Sequence, residues 1–234
     1  MDRSAKGYYV RDMRVIVTAG PTREYIDSVR FISNASSGRM GYACASAAAA
    51  AGHTVTLITG PVSLHPPKGC RVVDIVSVGD LKAALAKCFP SCDALVMTAA
   101  VGDFAVARRR RRKIPRRGGP VTLRLTPTED ILAGVARRKR PGQTIIGFAV
   151  EDSRNLAKAR REMLAKHCDY LVLNGPAAMG AKVSEACILS RQGTCPERSR
   201  GLALPWRRRS KQALARVLVR LLSPRSSRRG PQDA

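Results

Sequence analysis

The chain has 234 residues, and its 42 Lys and Arg outnumber its 17 Asp and Glu, which gives a formal net charge of +25. Hydrophobic residues make up 44% and charged residues 25% of it, so a packed core is expected and a wholly disordered protein is excluded. The basic excess fits three classes of partner, namely nucleic acid, an anionic membrane surface, or small phosphorylated and carboxylated substrates. An aromatic content of 4% disfavours a base-stacking surface for single-stranded nucleic acid.

The sequence predicts a cytoplasmic protein with reduced thiols. Its seven cysteines form no CxxC pair and leave an odd count. Residues 1–13 contain no apolar core, and no apolar run reaches the roughly 18 residues that a membrane span requires. We therefore expect neither a secretion signal nor a membrane partner.

The first predicted elements are a buried strand and an alanine-rich helix. Residues 14–19 (RVIVTA) are rich in branched apolar side chains and run into a Gly-Pro turn. After a polar loop, residues 38–51 predict a helix with Ser36 or Ser37 as its N-cap and Gly52 at its C-terminal end.

Strands and helices alternate along most of the remaining chain, which predicts parallel strands joined by right-handed crossovers. Further strands are expected at 53–59, 70–76, 93–99, 144–150 and 170–173, helices at 80–88, 129–138, 153–166 and 211–222, and a terminal hairpin from 186–190 with a turn at 192–193. The fold class is therefore α/β. We expect a Rossmann-like, doubly wound, mainly parallel sheet of about six strands with helices on both faces.

Residues 101–127 break this alternation, and we call them the flap. Eight of the ten residues 108–117 are Lys or Arg, and prolines and glycines between 115 and 120 interrupt any helix. The pattern indicates an exposed basic segment inserted into the sheet.

A ligand site is expected beyond the carboxyl ends of the strands, where the strand order reverses. The loop after the first strand opens onto a helix, so the hydroxyls of Ser36 and Ser37 and the free N–H groups beside Gly38 predict an anion site. Alternatively, Gly38 and Gly41 only permit close packing of the helix on a strand. Both interpretations stay open from these residues alone, because their spacing matches neither GxGxxG nor GxxxxGK[ST].

Several motifs follow one another along the chain, namely 18–24 (TAGPTRE), 29–41 (VRFISNASSGRMG), 99–103 (AAVGD) followed by Lys113 and Ile114, 130–132 (DIL), 147–151 (GFAVE) and 166–174. Taken in this order, they resemble phosphopantothenate-cysteine ligase (phosphopantothenoylcysteine synthetase), a family of coenzyme A biosynthesis. The resemblance implies a ligase domain at 14–222, between an N-terminal extension at 1–13 and a disordered basic tail at 223–234.

The resemblance also implies a reaction, in which a homodimer ligates 4′-phosphopantothenate to L-cysteine through an acyl-nucleotide, an acyl-cytidylate if CTP is used. Lys113, with Mg²⁺, would neutralise phosphate oxygens as the carboxylate attacks. Asn34 would contact the acyl intermediate, and Arg30 would hold the phosphate or carboxylate of the pantothenate substrate. Besides Lys113, the nucleotide is assigned to the predicted anion loop and to later motifs, namely Gly20, Ser36, Ser37, Gly38, Met97, Thr98, Ala99, Asp103, Thr128, Glu129, Asp130, Ile131, Phe148 and Lys166.

Many relatives with this pattern carry a flavin-dependent decarboxylase domain ahead of the ligase, whereas residues 1–13 are all that precede the first predicted strand here. We therefore expect a ligase without flavin, whose product passes to a separate phosphopantothenoylcysteine decarboxylase.

Three departures from the family pattern concern the nucleotide site. Pro115 stands where a second lysine is common, which leaves Arg116 to supply its charge, and Thr128-Glu129 replaces a common Asn-Pro. Glu162 stands at the position of a nucleotide-facing lysine, four residues before Lys166. The choice between CTP and ATP is therefore open.

Two other functions compete with ligation. The flap and the basic C-terminus would bind nucleic acid without sequence preference, and no helix-turn-helix, zinc-ligand set or aromatic RNA motif supports specific readout. A generic NAD-dependent reductase is disfavoured by the missing GxGxxG and Tyr-x-x-x-Lys patterns.

Overall fold

The structure is a computed structural model and describes residues 12–116, 119–191 and 202–222. Within these ranges the strands are β1 (Arg14–Ala19), β2 (Arg23–Tyr25), β3 (Phe31–Ser33), β4 (Thr54–Thr59), β5 (Cys70–Asp74), β6 (Ala94–Met97), β7 (Phe104–Val106), β8 (Leu125–Pro127), β9 (Thr144–Val150), β10 (Tyr170–Asn174), β11 (Val183–Ser190) and β12 (Leu202–Ser210). The α-helices are α1 (Arg39–Ala50), α2 (Val78–Cys88), α3 (Ile131–Ala136), α4 (Leu156–Ala165) and α5 (Lys211–Leu222).

Eight of the strands form one sheet in the order β12-β11-β10-β9-β6-β1-β4-β5. Its six strands from β10 to β5 are parallel, which confirms the predicted doubly wound core. The sheet exceeds the expected six strands because β11 and β12 extend it in antiparallel pairing. The predicted turn at 192–193 and tail at 223–234 lie outside the described residues, as does most of the N-terminal extension.

Helices cover both faces of the sheet, as predicted. One apolar cluster packs α1 and α5 on one face, and a second packs α2, α3 and α4 on the other. The central strands β1 and β6 are buried almost throughout. Continuous apolar runs of this kind are what a parallel sheet buried on both faces requires.

The start of α1 differs from the prediction. Gly38, not Ser36 or Ser37, is the N-cap, and its φ of 74° lies in the left-handed region that favours glycine. No side chain caps the helix; the Ser36 hydroxyl instead accepts a 3.4 Å hydrogen bond from the Gly38 N–H. Gly52 follows the helix with a φ of 85°, in agreement with its expected place at the C-terminal end.

Two segments predicted as irregular contain short antiparallel pairs. The loop after β1 folds into the β2–β3 hairpin, and the flap contains the β7–β8 pair. Their three-residue strands are too short for a periodic pattern to reveal. Among the described residues, no helix is long and apolar enough to cross a membrane.

Gly41 sets how closely α1 approaches the sheet. A Cβ at this position would overlap the Ala19 side chain and lie 2.6 Å from Thr98 Oγ1 and 2.8 Å from the Thr18 carbonyl oxygen. The packing role considered for this glycine is therefore observed.

We expect Gly41→Ala to lower the free energy of unfolding by about 1–3 kcal/mol, because the end of β1 and the Thr98 side chain leave no room for the new methyl group. Gly79 in α2 supplies the control, since its nearest neighbour would be Ser77 Oγ at 3.6 Å. Gly79→Ala should leave stability unchanged or raise it by up to about 1 kcal/mol. Urea unfolding measures both, and equal losses in the two variants would contradict this role for Gly41.

Four cysteines of the described residues are buried with free thiols, and burial is the main cause of their raised pKa values. The pKa is raised to about 12 for Cys44, Cys92 and Cys168 and to about 11 for Cys187. Thiols in this state are protonated and unreactive at neutral pH.

These thiols should make stability fall at alkaline pH. An unfolded thiol ionises near its ordinary pKa of 9.0 while the folded one stays protonated, so the folded state binds more protons and stability is lost as pH rises above 9. Cys92→Ala should reduce the slope of unfolding free energy between pH 9 and 10 by up to about 1.4 kcal/mol per pH unit. Urea titrations at both pH values test this, and an unchanged slope would refute it.

Candidate active site at the carboxyl edge of the sheet

A cavity of ≈ 590 Å³ lies at the carboxyl ends of the central strands. The chain leaves β1 towards β4 on one side, whereas β6 continues the sheet on the other, so the strand order reverses between β1 and β6. Connections that diverge at such a point leave a crevice between them. The cavity has the size of a small-molecule site.

One wall of the cavity is the start of α1. Ser36, Ser37, Gly38 and Arg39 line it. The first N–H groups of a helix have no partner within the helix and carry its positive partial charge. This wall therefore has donors suited to an anion, and the anion site stays a prediction.

The floor is formed by the end of β6 and is fixed to β1 through two threonines. Thr98 Oγ1 donates to the Thr18 carbonyl oxygen at 2.5 Å, and the Ala99 N–H donates to Thr18 Oγ1 at 3.1 Å. Thr18 is fully buried. Met97, Thr98 and Ala99 are thus presented to the cavity by backbone that two strands hold rigidly.

The opposite wall combines the turn before α3 with the end of α4. Thr128 Oγ1 donates to the Gly102 carbonyl oxygen at 2.6 Å, which ties this turn to the segment after β6. Asp130 accepts from the Ala133 N–H at 2.9 Å as the N-cap of α3. Lys166 lies beside them, at the C-terminal end of α4.

The charges lining the cavity are mostly paired. Lys166 Nζ lies 2.7 Å from Glu162 Oε1 and 3.3 Å from Asp130 Oδ2. Burial works against the charge of Lys166, but the two carboxylates outweigh it and its pKa is raised. Glu129 pairs with Lys82, whereas Asp103 has no ion pair within the described ranges.

Asn34 stands at the rim, just after β3. Its Nδ2 donates to the Val101 carbonyl oxygen at 2.9 Å, and its side chain is exposed and lines the cavity. This contact joins the β2–β3 hairpin to the segment after β6. It also leaves the amide oxygen available as an acceptor.

The structure brings most of the predicted site residues together in this cavity. Phe148 lines it while packing against the core cluster of α1 and α5, so its ring has both a core and a cavity face. Three predicted residues do not line it, namely Gly20, Arg30 and Lys113. Gly20 shapes the turn after β1, with its carbonyl oxygen accepting from the Ala100 N–H at 2.9 Å. Lys113 lies in the flap, and Arg30 lies in the β2–β3 hairpin and contacts the flap at Ile114.

Sequence reasoning missed part of the lining. Glu151 and Asn174 end β9 and β10, and Lys211 begins α5. Lys211 is buried, and its Nζ donates to the Ala178 carbonyl oxygen at 3.1 Å and to Ser184 Oγ at 3.3 Å. Burial lowers its pKa. Nothing in its local sequence distinguishes it, because the antiparallel return of β11 and β12 is what carries it to the cavity.

No group of three or more His, Cys, Asp or Glu residues within the described ranges is arranged to hold a metal ion. Any cation at this cavity would therefore need ligands from a bound substrate as well as from the protein.

Comparison with known proteins identifies a family. A family model for the DNA/pantothenate metabolism flavoprotein C-terminal domain matches residues 10–224. The chain is 42% identical over 168 residues to the coenzyme A biosynthesis bifunctional protein CoaBC of Bacillus subtilis, covering 71% of this chain and 41% of that protein. It is 44% identical over 169 residues to a cysteine/cysteine sulfinic acid decarboxylase of an unknown prokaryotic organism, covering 72% and 47%.

Solved structures agree with the fold. The crystal structure of the C-terminal domain of CoaBC matches with a TM-score of 0.72 and 28% identity, covering 89% of this chain and 93% of that one. The chain spans about half the length of the curated relatives that it matches.

Proposed function

Because the chain belongs to the family of DNA/pantothenate metabolism flavoprotein C-terminal domains, we propose that it ligates 4′-phosphopantothenate to L-cysteine, with CTP as the nucleotide. The observation that carries this proposal is the cavity between β1 and β6, where the start of α1, the end of β6, Asn34 and Lys166 converge. A carboxylate does not condense with an amine at neutral pH, so activation by a nucleotide is the chemistry such a site must supply.

The start of α1 is the proposed site of the triphosphate. Free N–H groups at the helix start and the hydroxyls of Ser36 and Ser37 are suitable donors to phosphate oxygens. Phe148 and Met97 offer apolar contact to a pyrimidine, and Asp103 can accept from ribose hydroxyls. Mg²⁺ binds in proteins through one or two carboxylates together with substrate phosphates, and the unpaired Asp103 carboxylate fits that role. Bound there, the ion would neutralise phosphate charge.

Activation begins when a carboxylate oxygen of 4′-phosphopantothenate attacks the α-phosphorus of CTP. The bond between the α-phosphorus and the bridging oxygen breaks, which releases pyrophosphate and leaves an acyl-cytidylate. Two anions must approach each other in this step, and Lys113 is the proposed cation that offsets their repulsion. Arg30 is the proposed ligand of the substrate's phosphate or carboxylate.

Amide formation follows when the amine nitrogen of cysteine attacks the acyl carbon. The bond from that carbon to the CMP oxygen breaks, and the amine loses a proton. Asn34 suits this step, because its Nδ2 is anchored to the Val101 carbonyl and its amide oxygen can accept from the incoming amine. A homodimer, a cytoplasmic location, the absence of flavin and a separate decarboxylase remain predictions.

The proposal is tested by incubating purified protein with 4′-phosphopantothenate, cysteine, Mg²⁺ and either CTP or ATP. We expect pyrophosphate and 4′-phosphopantothenoylcysteine, with CTP preferred. Lys113→Gln should suppress formation of the acyl-nucleotide, whereas Asn34→Asp should allow it and block its conversion to the amide, each by on the order of 10²-fold.

The two partial reactions separate these roles when pyrophosphate release is measured with and without cysteine. Lys87→Gln, a lysine-to-glutamine change in the last turn of α2 and away from the cavity lining, is the matched control and should behave as wild type. Folded protein that gives no product with either nucleotide would refute ligation, and wild-type rates in both variants would refute the roles of Lys113 and Asn34.

Glu162 should weaken nucleotide binding in this protein. Its carboxylate forms an ion pair with Lys166 Nζ, so this lysine is less available to a phosphate. It also adds negative charge to a cavity that, under this proposal, accepts a triphosphate. We expect Glu162→Lys to lower KM for the nucleotide by about tenfold, which corresponds to about 1.4 kcal/mol. Glu185→Lys makes the same charge change outside this cavity and should leave KM within about twofold of wild type. Equal effects of the two variants would point to net charge rather than to the contact with Lys166.

A further inference from the structure

Asp27 is a buried carboxylate outside the cavity, between β2 and β3, and it is fully inaccessible to solvent. Its Oδ1 accepts from the N–H groups of Val29 and Arg30, both at 2.8 Å. Its Oδ2 accepts from Arg30 Nε at 3.0 Å and from the Ile114 N–H at 3.1 Å, and Arg30 Nη2 lies 2.7 Å away. A buried charge is tolerated only with such partners.

These bonds join two distant parts of the chain. Val29 and Arg30 belong to the β2–β3 hairpin, whereas Ile114 belongs to the flap and directly follows Lys113. Arg30 adds a second bond to the same flap residue, because its Nη2 donates to the Ile114 carbonyl oxygen at 2.6 Å. Both backbone groups of Ile114 are therefore held by the hairpin.

Two further contacts run between the hairpin and the flap. The Arg110 N–H donates to the Ile26 carbonyl oxygen at 2.9 Å, and the Arg109 guanidinium lies 5.0 Å from the centre of the Tyr25 ring. Neither contact is as enclosed as the one at Asp27. The fully buried carboxylate is the fixed point to which the exposed basic run is attached.

Position 27 requires a carboxylate rather than an amide. Every group that faces the two oxygens of Asp27 is an N–H donor, from Val29, Arg30 or Ile114. An asparagine would turn its own NH₂ group towards some of these donors and leave buried N–H groups without partners. The backbone N–H groups, led by that of Arg30, hold the pKa of Asp27 well below its ordinary value, so it is ionised at physiological pH.

We propose that Asp27 is a positioning residue for the ligation, which fixes the flap at Ile114 and thereby sets the place of Lys113 relative to Asn34. The hairpin that carries Asp27 continues directly through β3 to Asn34, which is itself anchored to Val101. One rigid element thus connects the two residues assigned to catalysis. This inference rests on the proposed ligase function and adds to it a residue that touches no substrate.

The test compares Asp27→Asn with wild type in two measurements. Steady-state kinetics should show kcat for acyl-nucleotide formation reduced by about tenfold to a hundredfold, with KM for the nucleotide within about twofold, because Asp27 does not line the cavity. Trypsin should cleave within 108–116 at least several times faster in the variant, as followed by intact mass. Rates are normalised to folded protein by nucleotide-binding stoichiometry.

Asp80→Asn is the matched control. Asp80 also accepts backbone N–H bonds, from Val76 and Ser77 at the start of α2, but has no contact with the flap among the described residues. Its loss should lower the unfolding midpoint and leave kcat and flap cleavage unchanged. A similar fall in kcat in both variants would show that general destabilisation, not the position of the flap, limits the rate.

Ile114→Pro provides an independent variant if Asp27→Asn does not fold. It removes the N–H that donates to Asp27 and also restricts the backbone of Lys113, so an unchanged kcat is its decisive result. It should reproduce the loss of kcat, whereas Arg112→Pro, at a position whose N–H makes no bond within the described ranges, should not. Wild-type kcat in a folded Asp27→Asn or in Ile114→Pro would overturn the proposal, even if the flap is cleaved faster. If the wild type has no ligase activity the proposed function fails, whereas the cleavage rates still show whether Asp27 holds the flap.

Discussion

The pairing of β1 with β6 is the constraint on which the site depends. Thr18 is fully buried between these strands, accepts from the Ala99 N–H and receives the Thr98 hydroxyl on its carbonyl oxygen. Beyond this point the chain diverges, and α1 can follow β1 closely only because Gly41 has no side chain. The cavity floor and the wall at the start of α1 are therefore fixed by the same few buried contacts. A cavity whose floor and wall are held by buried contacts keeps groups bound in it in a reproducible position.

The net charge of +25 is distributed very unevenly with respect to the cavity. Inside, Lys166 is shared by Glu162 and Asp130, whereas Arg39 and Lys211 also line the cavity and have no carboxylate partner among the described residues. Outside, the arginines of 108–112 are exposed. The exposed positive charge is thus concentrated in the flap, which makes the flap the part of the described chain best suited to attract anions over a distance. The same exposed arginines account for any affinity for nucleic acid without sequence preference.

Asp27 shows how the basic run is attached to the β2–β3 hairpin. Like charges repel, and a segment of consecutive arginines would be expected to stay extended in solvent. A single enclosed carboxylate counters that tendency, because it binds the Ile114 backbone and the Arg30 guanidinium at once. The cost of burying its charge is offset by donors on every side. The flap is therefore attached mainly through its backbone, with one side-chain contact from Arg109 to the Tyr25 ring.

The amino-acid sequence alone predicted the six parallel strands and the five helices, because long apolar runs are local patterns. It named half of the residues that line the cavity, most of them through the resemblance to a family and not through the pattern at the strand ends. It did not predict the left-handed Gly38 cap or the three-residue strands β2 and β3. The antiparallel pair of β11 and β12 agrees with the terminal hairpin expected from 186–190, but the position of Lys211 at the cavity was not predicted. Nor did the sequence distinguish Asp27 from the other carboxylates, since its partners Arg30 and Ile114 are 84 residues apart. Only the folded chain shows these features, because they depend on contacts between residues that are far apart in sequence. Folding buries polar backbone groups, and each buried group needs a hydrogen-bond partner that the local sequence does not identify.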